Sequence, residues 1–247
     1  MKHLGFGVEP IDLGAEERAD WVATIGSEVA LVEEKTKLND PEQVSCRKAA
    51  LDAGEPFASH VPIKPDNRLS GITYKAASQL KTSAAEIAHD FRLVWLTATG
   101  HNHEAKFHQY IATLYGSTNL LENGRAPLKR CYFFRNSDFY RHREQIDGAV
   151  VAEVVGSDLN AKLCLNSLSP RYACFKDSAV RAAFANAVLD PNFDEAAGGA
   201  FVVDCDIDRG RPNDILDYLK TKYSTGDLMT IDMSHASVAM VVSKGDG

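Results

Sequence analysis

Two short apolar segments joined at Gly26-Ser27 constrain the fold of this chain more than any other feature. The segments are "WVATI" (21–25) and "EVALVEEKT" (28–36), and both have the β-branched, alternating composition of strands. A Gly-Ser pair between two such segments is typical of a tight turn. We therefore predict an antiparallel hairpin over residues 20–36.

Beyond the hairpin, helical and strand patterns alternate along the whole chain, which predicts an α/β protein with a mixed sheet flanked by helices. Residues 55–68 contain three prolines and no clear period, and we predict a loop there. The predicted helices cover 39–54, 69–90, 103–117, 137–146, 169–190 and 212–223. The further predicted strands cover 3–12, 91–99, 128–134, 148–156, 161–168, 199–208 and 236–243.

Composition narrows the class of protein. The chain has 247 residues, 45% of them hydrophobic and 25% charged, which is ordinary for a folded domain. No window approaches 18 uncharged apolar residues, so we expect neither a transmembrane helix nor a signal peptide, and no membrane partner. Five cysteines form no CxxC pair, which favours a reduced, cytoplasmic setting. The net charge of −7 argues against indiscriminate coating of nucleic acid, although a local basic groove remains compatible with it.

The charges at the two ends of the hairpin predict a catalytic site. Alternation along a strand places Glu33 and Lys35 on one face and Glu34 on the other, and a short hairpin brings Asp20 beside Glu33. Two adjacent carboxylates repel unless a cation lies between them, and Mg²⁺ or Mn²⁺ prefers such oxygen ligands. We therefore predict Asp20 and Glu33 as metal ligands, with Lys35 orienting a water or stabilising negative charge on a phosphate.

Asp20 followed after twelve residues by Glu33-x-Lys35 resembles the catalytic signature of the PD-(D/E)xK nuclease superfamily. The resemblance covers roughly residues 10–99 and implies a restriction-endonuclease-like core. In that core the acid opens one strand, the ExK closes the next, and a helix and another strand follow. The resemblance further implies a Mg²⁺- or Mn²⁺-dependent endonuclease acting on DNA, in phage defence or DNA repair. It also adds Gln79 on the following helix as a further catalytic residue.

The resemblance does not extend into the second half of the chain. We expect a nuclease-like core over 1–99 and an α/β extension over 100–247 that could belong to the same domain. The extension would shape substrate access, form a homodimer, or dock a partner such as a helicase or a sensor protein. Glu34 stands where the family usually has an apolar residue, and Glu9 or Glu17 would supply the additional acid that family members often carry.

Two other functions are compatible with the sequence. The chain could be a non-catalytic subunit that binds nucleic acid or protein through a nuclease-like core. It could also be a phosphodiesterase or nucleotide-processing enzyme that uses Asp204, Asp206 and Asp208, which the predicted strand 199–208 places on one face. The chain has no GxxxxGK[ST] motif and no GxGxxG after a strand, so ATP hydrolysis and dinucleotide binding are not supported.

Three further groups of residues combine side chains that could carry a function. Asp90 with Glu104 and Lys106 forms a second D…ExK pattern, but its ExK lies on a predicted helix, where residues two apart diverge. Histidines at 101, 103 and 108 could bind a transition metal, although a histidine-rich helix start is the simpler interpretation. The segment 128–144 interleaves arginines and lysine with aromatic residues, and the basic side chains could face nucleic acid while the aromatic ones form core.

Overall fold

The structure, a computed structural model, describes residues 1–12, 17–37, 41–124, 127–156 and 158–241. The helices in these ranges are α1 Pro41–Asp52, α2 Asn67–Ala84, α3 His103–Tyr115, α4 Asp138–Arg141, α5 Tyr172–Phe175, α6 Ala179–Ala182, α7 Pro191–Ala196 and α8 Pro212–Tyr223. The strands are β1 Gly7–Pro10, β2 Trp21–Ile25, β3 Glu28–Lys37, β4 Phe57–Ile63, β5 Phe91–Ala98, β6 Thr118–Glu122, β7 Lys129–Tyr132, β8 Gly148–Val155, β9 Asp158–Leu165, β10 Val188–Leu189, β11 Ala200–Val202, β12 Leu228–Ile231 and β13 Met233–Ala239.

Among the described residues, seven strands form one mixed sheet, here called the main sheet, in the order β1-β2-β3-β5-β8-β9-β10. The first three strands are antiparallel neighbours, and β5 and β8 then continue the sheet parallel to β3. The strand β9 returns antiparallel to β8, and the short β10 runs parallel to β9. Strands from both halves of the chain thus belong to one hydrogen-bonded sheet. The expected α/β class, a mixed sheet flanked by helices, is confirmed.

Two smaller sheets accompany the main sheet in the described residues. One contains four strands in the order β11-β7-β6-β12, and the other pairs β13 with β4 in antiparallel register. The main sheet is apolar on both faces, as a sheet covered on two sides must be. One face carries a core formed with α2, α3 and the four-stranded sheet, and the other packs against Phe6, Phe175, Val180 and Phe184. We call these the α2 face and the α5 face.

The predicted hairpin is confirmed. Trp21 pairs with Val32 and Ile25 with Glu28, and Gly26 has the positive φ of 59° that the turn requires. The predicted strand at 91–99 is β5, whose residues are buried almost throughout because the strand lies in the middle of the main sheet.

Three local predictions were wrong. The predicted loop at 55–68 contains β4, because prolines 56 and 65 flank that strand and its partner β13 comes from far along the chain. The predicted helix at 169–190 is broken into α5, α6 and β10, because Ser178 starts a new helix by accepting a hydrogen bond from Arg181 N. The predicted strand at 199–208 ends at Val202.

Some predicted boundaries fall outside the described residues, namely the start of the helix at Asn39 or Asp40 and the end of the last strand at 242–243. The helix α1 has no buried residue and so contributes little to the core. All five cysteines are free in the structure. Of the helices in the described part of the chain, none is long and apolar enough to cross a bilayer.

Candidate active site

The antiparallel register of β2 and β3 brings Asp20 and Glu33 together. Trp21, the first residue of β2, lies opposite Val32. The hydrogen bond from Asp20 N to Val32 O (3.1 Å) extends the pairing with β3 to the residue before β2. Asp20 therefore lies opposite Glu33, and side chains directly opposite on one face are roughly 5 Å apart at Cβ. Lys35 follows Glu33 by two residues on the same α2 face of the sheet.

Glu33 is fully buried, with 0% of its surface exposed. Its Oε1 accepts a hydrogen bond from Lys35 Nζ, whereas its Oε2 is buried without a hydrogen-bond partner. Burial raises the pKa of Glu33 to about 7; the Lys35 ammonium opposes this change, and the neighbouring Asp20 carboxylate adds to it. A buried acid with an unpartnered oxygen is the feature that a bound cation would satisfy.

The apolar neighbours of Glu33 explain its burial. On the β5 side it lies beside Val94, and Lys35 lies beside Leu96; both apolar residues are completely buried. The helix α2 covers this face with Ala76 and Leu80. Lys35 keeps about a quarter of its side chain exposed (28%), so the ammonium connects the buried carboxylate with solvent.

The carboxylate of Asp20 is held by the backbone of β3. Its Oδ2 accepts a hydrogen bond from Glu34 N at 2.7 Å. A backbone donor at this position fixes the direction of the Asp20 side chain toward Glu33 without neutralising its charge. Asp20 is partly exposed, so together with Lys35 it forms the open side of the site.

Gln79 is close to the site but acts on the backbone. Its Nε2 donates to Arg18 O at 3.1 Å, and one turn later Ser83 Oγ accepts from Ala19 N at 2.9 Å. The two side chains are four residues apart on one face of α2, and together they fix the segment that leads into Asp20. The structure places the Gln79 amide on the backbone beside Asp20, and Ser83, which was not predicted from the sequence, makes a second contact with the same segment. The sequence signal for this pair is that Gln79 and Ser83 are polar, four residues apart, and next to the apolar positions Ala76 and Leu80 of the same helix.

Removing the Ser83 hydroxyl tests this connection. We expect Ser83→Ala to lower the free energy of unfolding by about 1 to 2 kcal/mol, because the buried Ala19 N–H loses its acceptor. Urea unfolding followed by circular dichroism measures the change. Ser78→Ala is the matched control, since Ser78 is an exposed serine on the same helix, and we expect that variant to change stability by less than about 0.5 kcal/mol. Equal losses in the two variants would contradict the assigned role.

Glu34 points to the α5 face, as alternation predicts. It is exposed, and its Oε2 accepts a hydrogen bond from Trp21 Nε1 at 3.2 Å. An acid is tolerated here because this end of the α5 face is not covered by the α5 and α6 helices, and the charge stays in contact with water.

The second D…ExK pattern is not assembled. Asp90 accepts from Val29 N at the amino end of β5, whereas Glu104 and Lys106 follow the carboxyl end of that strand. Lys106 donates to Thr99 O. The opposite ends of one strand cannot contribute to a common site.

The three histidines also serve separate contacts. His103 Nδ1 lies 2.8 Å from Glu153 Oε2, His101 packs edge-on against Phe57, and His108 does so against its neighbour Phe107. Across the described ranges, no group of three or more His, Cys, Asp or Glu side chains could hold a metal ion. A transition-metal site built from these histidines therefore has no geometric support.

The second-half aspartates do not share a strand face, because β11 ends before them. Asp204 accepts from Tyr218 OH and pairs with Lys222 at 3.0 Å. Asp206 accepts from Tyr140 OH, and Asp208 accepts from Gly210 N. Each carboxylate has its own structural partner, so the expected alignment on one face was wrong.

The basic and aromatic segment divides into core and surface. Tyr132, Phe133, Phe134 and Phe139 are buried, at 1% exposure or less, which leaves them unable to stack on bases. Arg143 and Arg209 lie over the ring of Tyr140, at 4.7 and 4.6 Å from its centroid. Arg135 and Arg141 of this segment are exposed.

The donor set fits a hard divalent cation. Asp20 and Glu33 supply carboxylate oxygens on one face, and Glu33 Oε2 lacks any other partner. Magnesium commonly binds through one or two carboxylates and keeps waters or substrate phosphate oxygens as its other ligands, so a third protein ligand is not required. Comparison of the chain with protein-family models, with curated proteins and with solved structures gave no match, and the functional argument therefore rests on this geometry.

Proposed function

We propose that this protein is a metal-dependent nuclease that hydrolyses phosphodiester bonds in DNA. The observation that carries the proposal is Glu33, a fully buried acid with one oxygen on Lys35 and the other without a partner, directly beside Asp20. A buried acid with a pKa near 7 costs free energy when ionised, and a purely structural site would gain by replacing it with an apolar residue. Such perturbed acids cluster at functional sites.

The order of elements around the site also supports the proposal. An antiparallel trio, β1 to β3, is followed by α1 and β4, and then by α2 and by β5, which is parallel to β3. The PD-(D/E)xK resemblance implies the hairpin, the helix and the next strand, with the acid at the start of one strand and the ExK near the end of the next; α1 and β4 are additional elements between β3 and α2. In the proposed site, Asp20 and Glu33 belong to adjacent strands and Lys35 to the same face, as that signature requires.

Each residue has a defined task in the proposed reaction. Asp20 and Glu33 would hold Mg²⁺ or Mn²⁺, which would supply Lewis-acid stabilisation of the scissile phosphate and activation of a water. Lys35 orients the attacking water with its ammonium and stabilises the negative charge that develops on the phosphate. The Glu34 N–H and the α2 side chains Gln79 and Ser83 keep Asp20 in place.

The proposal extends to a partner. The net charge of −7 gives the chain no general attraction for nucleic acid, and it carries no motif of a motor. A helicase or sensor protein that delivers DNA in phage defence or repair would overcome this, with residues 100–247 as the docking or dimerising part.

Plasmid cleavage tests the proposal. We expect the purified protein to nick or linearise supercoiled plasmid in Mg²⁺ or Mn²⁺, and to do nothing in EDTA. Asp20→Asn should lower the rate on the order of 10- to 100-fold, because an amide oxygen is a weaker ligand. The matched control is Asp177→Asn, which changes an exposed aspartate away from the site and should cleave at the wild-type rate.

A cleavage rate that is the same in Asp20→Asn and wild type would remove Asp20 from the site. The alternative function, a non-catalytic subunit that binds nucleic acid or protein, gives a different result. In that case no metal and no added partner produces cleavage, while DNA or protein is still retained in pull-down or gel-shift experiments.

A further inference from the structure

The α5 face has an open groove directly behind the candidate active site. Its cavity of about 540 Å³ lies over the amino end of β2 and the carboxyl halves of β3 and β5, where α5 and α6 do not reach. The groove contains both tryptophans of the chain, Trp21 and Trp95, together with Val32 and Leu159. A mostly apolar cavity of this size with a few polar groups is typical of a small-molecule site.

The polar groups of the groove are few and differ in charge. Glu34 lies between the two tryptophans in the strand order, and Lys2 brings an ammonium from the N-terminal turn. Both indole N–H groups are already used, by Glu34 Oε2 at 3.2 Å and by Thr97 Oγ1 at 3.1 Å. Trp95 keeps only 8% of its surface exposed, whereas Trp21 is partly exposed, so the Trp21 indole is the ring on which a ligand can stack.

These features select one class of ligand. A purine base presents an aromatic face that stacks on indole and amino or imino hydrogens that a carboxylate accepts. A phosphate attached to the same ligand pairs with an ammonium. Leu159, with 54% of its surface exposed, is an apolar side chain that a bound ligand would cover.

Glu34 connects the groove to the opposite face of the sheet. Its side chain lines the groove, while its backbone N–H holds the Asp20 carboxylate at 2.7 Å. Its two neighbours along β3 are Glu33 and Lys35. A ligand that draws the Glu34 carboxylate away from Trp21 acts on the same residue whose backbone orients Asp20, so the two faces are linked within one strand.

We propose that the groove binds a free purine nucleotide, with its base on the Trp21 indole, its amino edge at Glu34 and its phosphate at Lys2, and that this ligand modulates the Asp20 and Glu33 site through Glu34. Binding stands independently of the proposed function, whereas the modulation rests on it. The two parts have separate measurements.

Tryptophan fluorescence tests binding without any activity, since both tryptophans lie in the groove. We expect AMP or GMP to change the emission saturably, with Kd below about 1 mM, the weak end of small-ligand affinity. Calorimetry on the same samples guards against absorption artefacts. Two further probes are tested in the same way. Inorganic phosphate shows whether the groove binds a phosphate without a base, and a short single-stranded oligonucleotide shows whether it binds nucleic acid rather than a free nucleotide.

Variants assign the contacts. Glu34→Gln should weaken nucleotide binding about five- to tenfold and Lys2→Met about two- to fivefold. Glu55→Gln and Lys176→Met, exposed residues outside the groove, should bind as wild type. Absence of a saturable signal for every nucleotide, equal binding by all four variants, or binding of the oligonucleotide without binding of AMP or GMP would overturn the proposal.

Modulation is measured through the metal. The nucleotide should change the affinity for Mn²⁺, followed by electron paramagnetic resonance, at least about twofold, and by reciprocity Mn²⁺ should change the nucleotide Kd by the same factor. Nucleotide binding without this change would overturn the coupling and leave the groove as a binding site. Failure to bind Mn²⁺ at all would instead contradict the proposed function, while fluorescence would still decide the groove.

Discussion

We expect replacement of Lys35 by methionine to lower plasmid cleavage about 100- to 1000-fold, the loss that follows when one preorganised charge is removed from a transition state. The methionine keeps most of the apolar length of the lysine, so β3 retains its packing against Leu96. The rate is measured from the initial loss of supercoiled plasmid in saturating Mg²⁺. Circular dichroism verifies that the variant is folded.

The pH dependence of this variant separates two roles of Lys35. Its ammonium lowers the Glu33 pKa, so Lys35→Met leaves more of Glu33 protonated at neutral pH and weakens metal binding indirectly. Raising the pH ionises more of Glu33 in the variant, and we expect most of the deficit in cleavage to persist at about pH 9. Full recovery at high pH would show that Lys35 acts only through Glu33. Lys176→Met, an exposed lysine far along the chain, should cleave normally at every pH.

Without metal, the stability of the protein should fall as pH rises through the Glu33 pKa. The folded protein holds this proton up to about pH 7, whereas the unfolded chain releases it near its ordinary value of 4.5. The folded state thus binds more protons between these values, so the stabilisation is complete below about pH 4.5 and is lost as pH rises to 7. The difference corresponds to on the order of 3 kcal/mol for this fully buried group.

The variant Glu33→Gln removes this titration. Urea unfolding in EDTA at about pH 5 and pH 8 should show a pH dependence smaller than wild type by that amount, with the variant more stable at pH 8. Mg²⁺ should raise the stability of the wild type at pH 8, because the ion binds the Glu33 carboxylate of the folded state. It should have little effect on Glu33→Gln, since the amide is a much weaker ligand. Identical pH profiles for wild type and variant would show that Glu33 does not titrate in this range, whereas Glu55→Gln should match the wild type throughout.

The local part of the site could be predicted from the sequence because strand alternation is a local rule. Two-residue periodicity separates Glu33 and Lys35 from Glu34, and the Gly26 turn fixes the register that sets Asp20 opposite Glu33. The alternating α/β class follows from the same periodicities.

What could not be predicted depends on contacts between distant segments. The strand β4 forms because β13 pairs with it from about 175 residues along the chain, and no local pattern around prolines 56, 62 and 65 indicates that partner. The hydrogen bonds from Ala19 N to Ser83 Oγ and from Glu34 N to Asp20 Oδ2 both have backbone donors, and backbone groups carry no sequence signal. The short helices α5 and α6 leave the groove on the α5 face open. The sequence pattern predicts one long helix over 169–190 in their place, and therefore gives no indication of the groove.

The parallel strands at the centre of the main sheet have a consequence for how the chain folds. Joining β3 to β5 closes a loop of about 60 residues, and joining β5 to β8 closes another of about 55. Each closure loses chain entropy before its hydrogen bonds form, so the hairpin of β2 and β3 assembles early and the central pairings follow slowly. Asp20 and Glu33 therefore meet before the apolar cover over them is complete, and burial of the Glu33 carboxylate is a late step of folding.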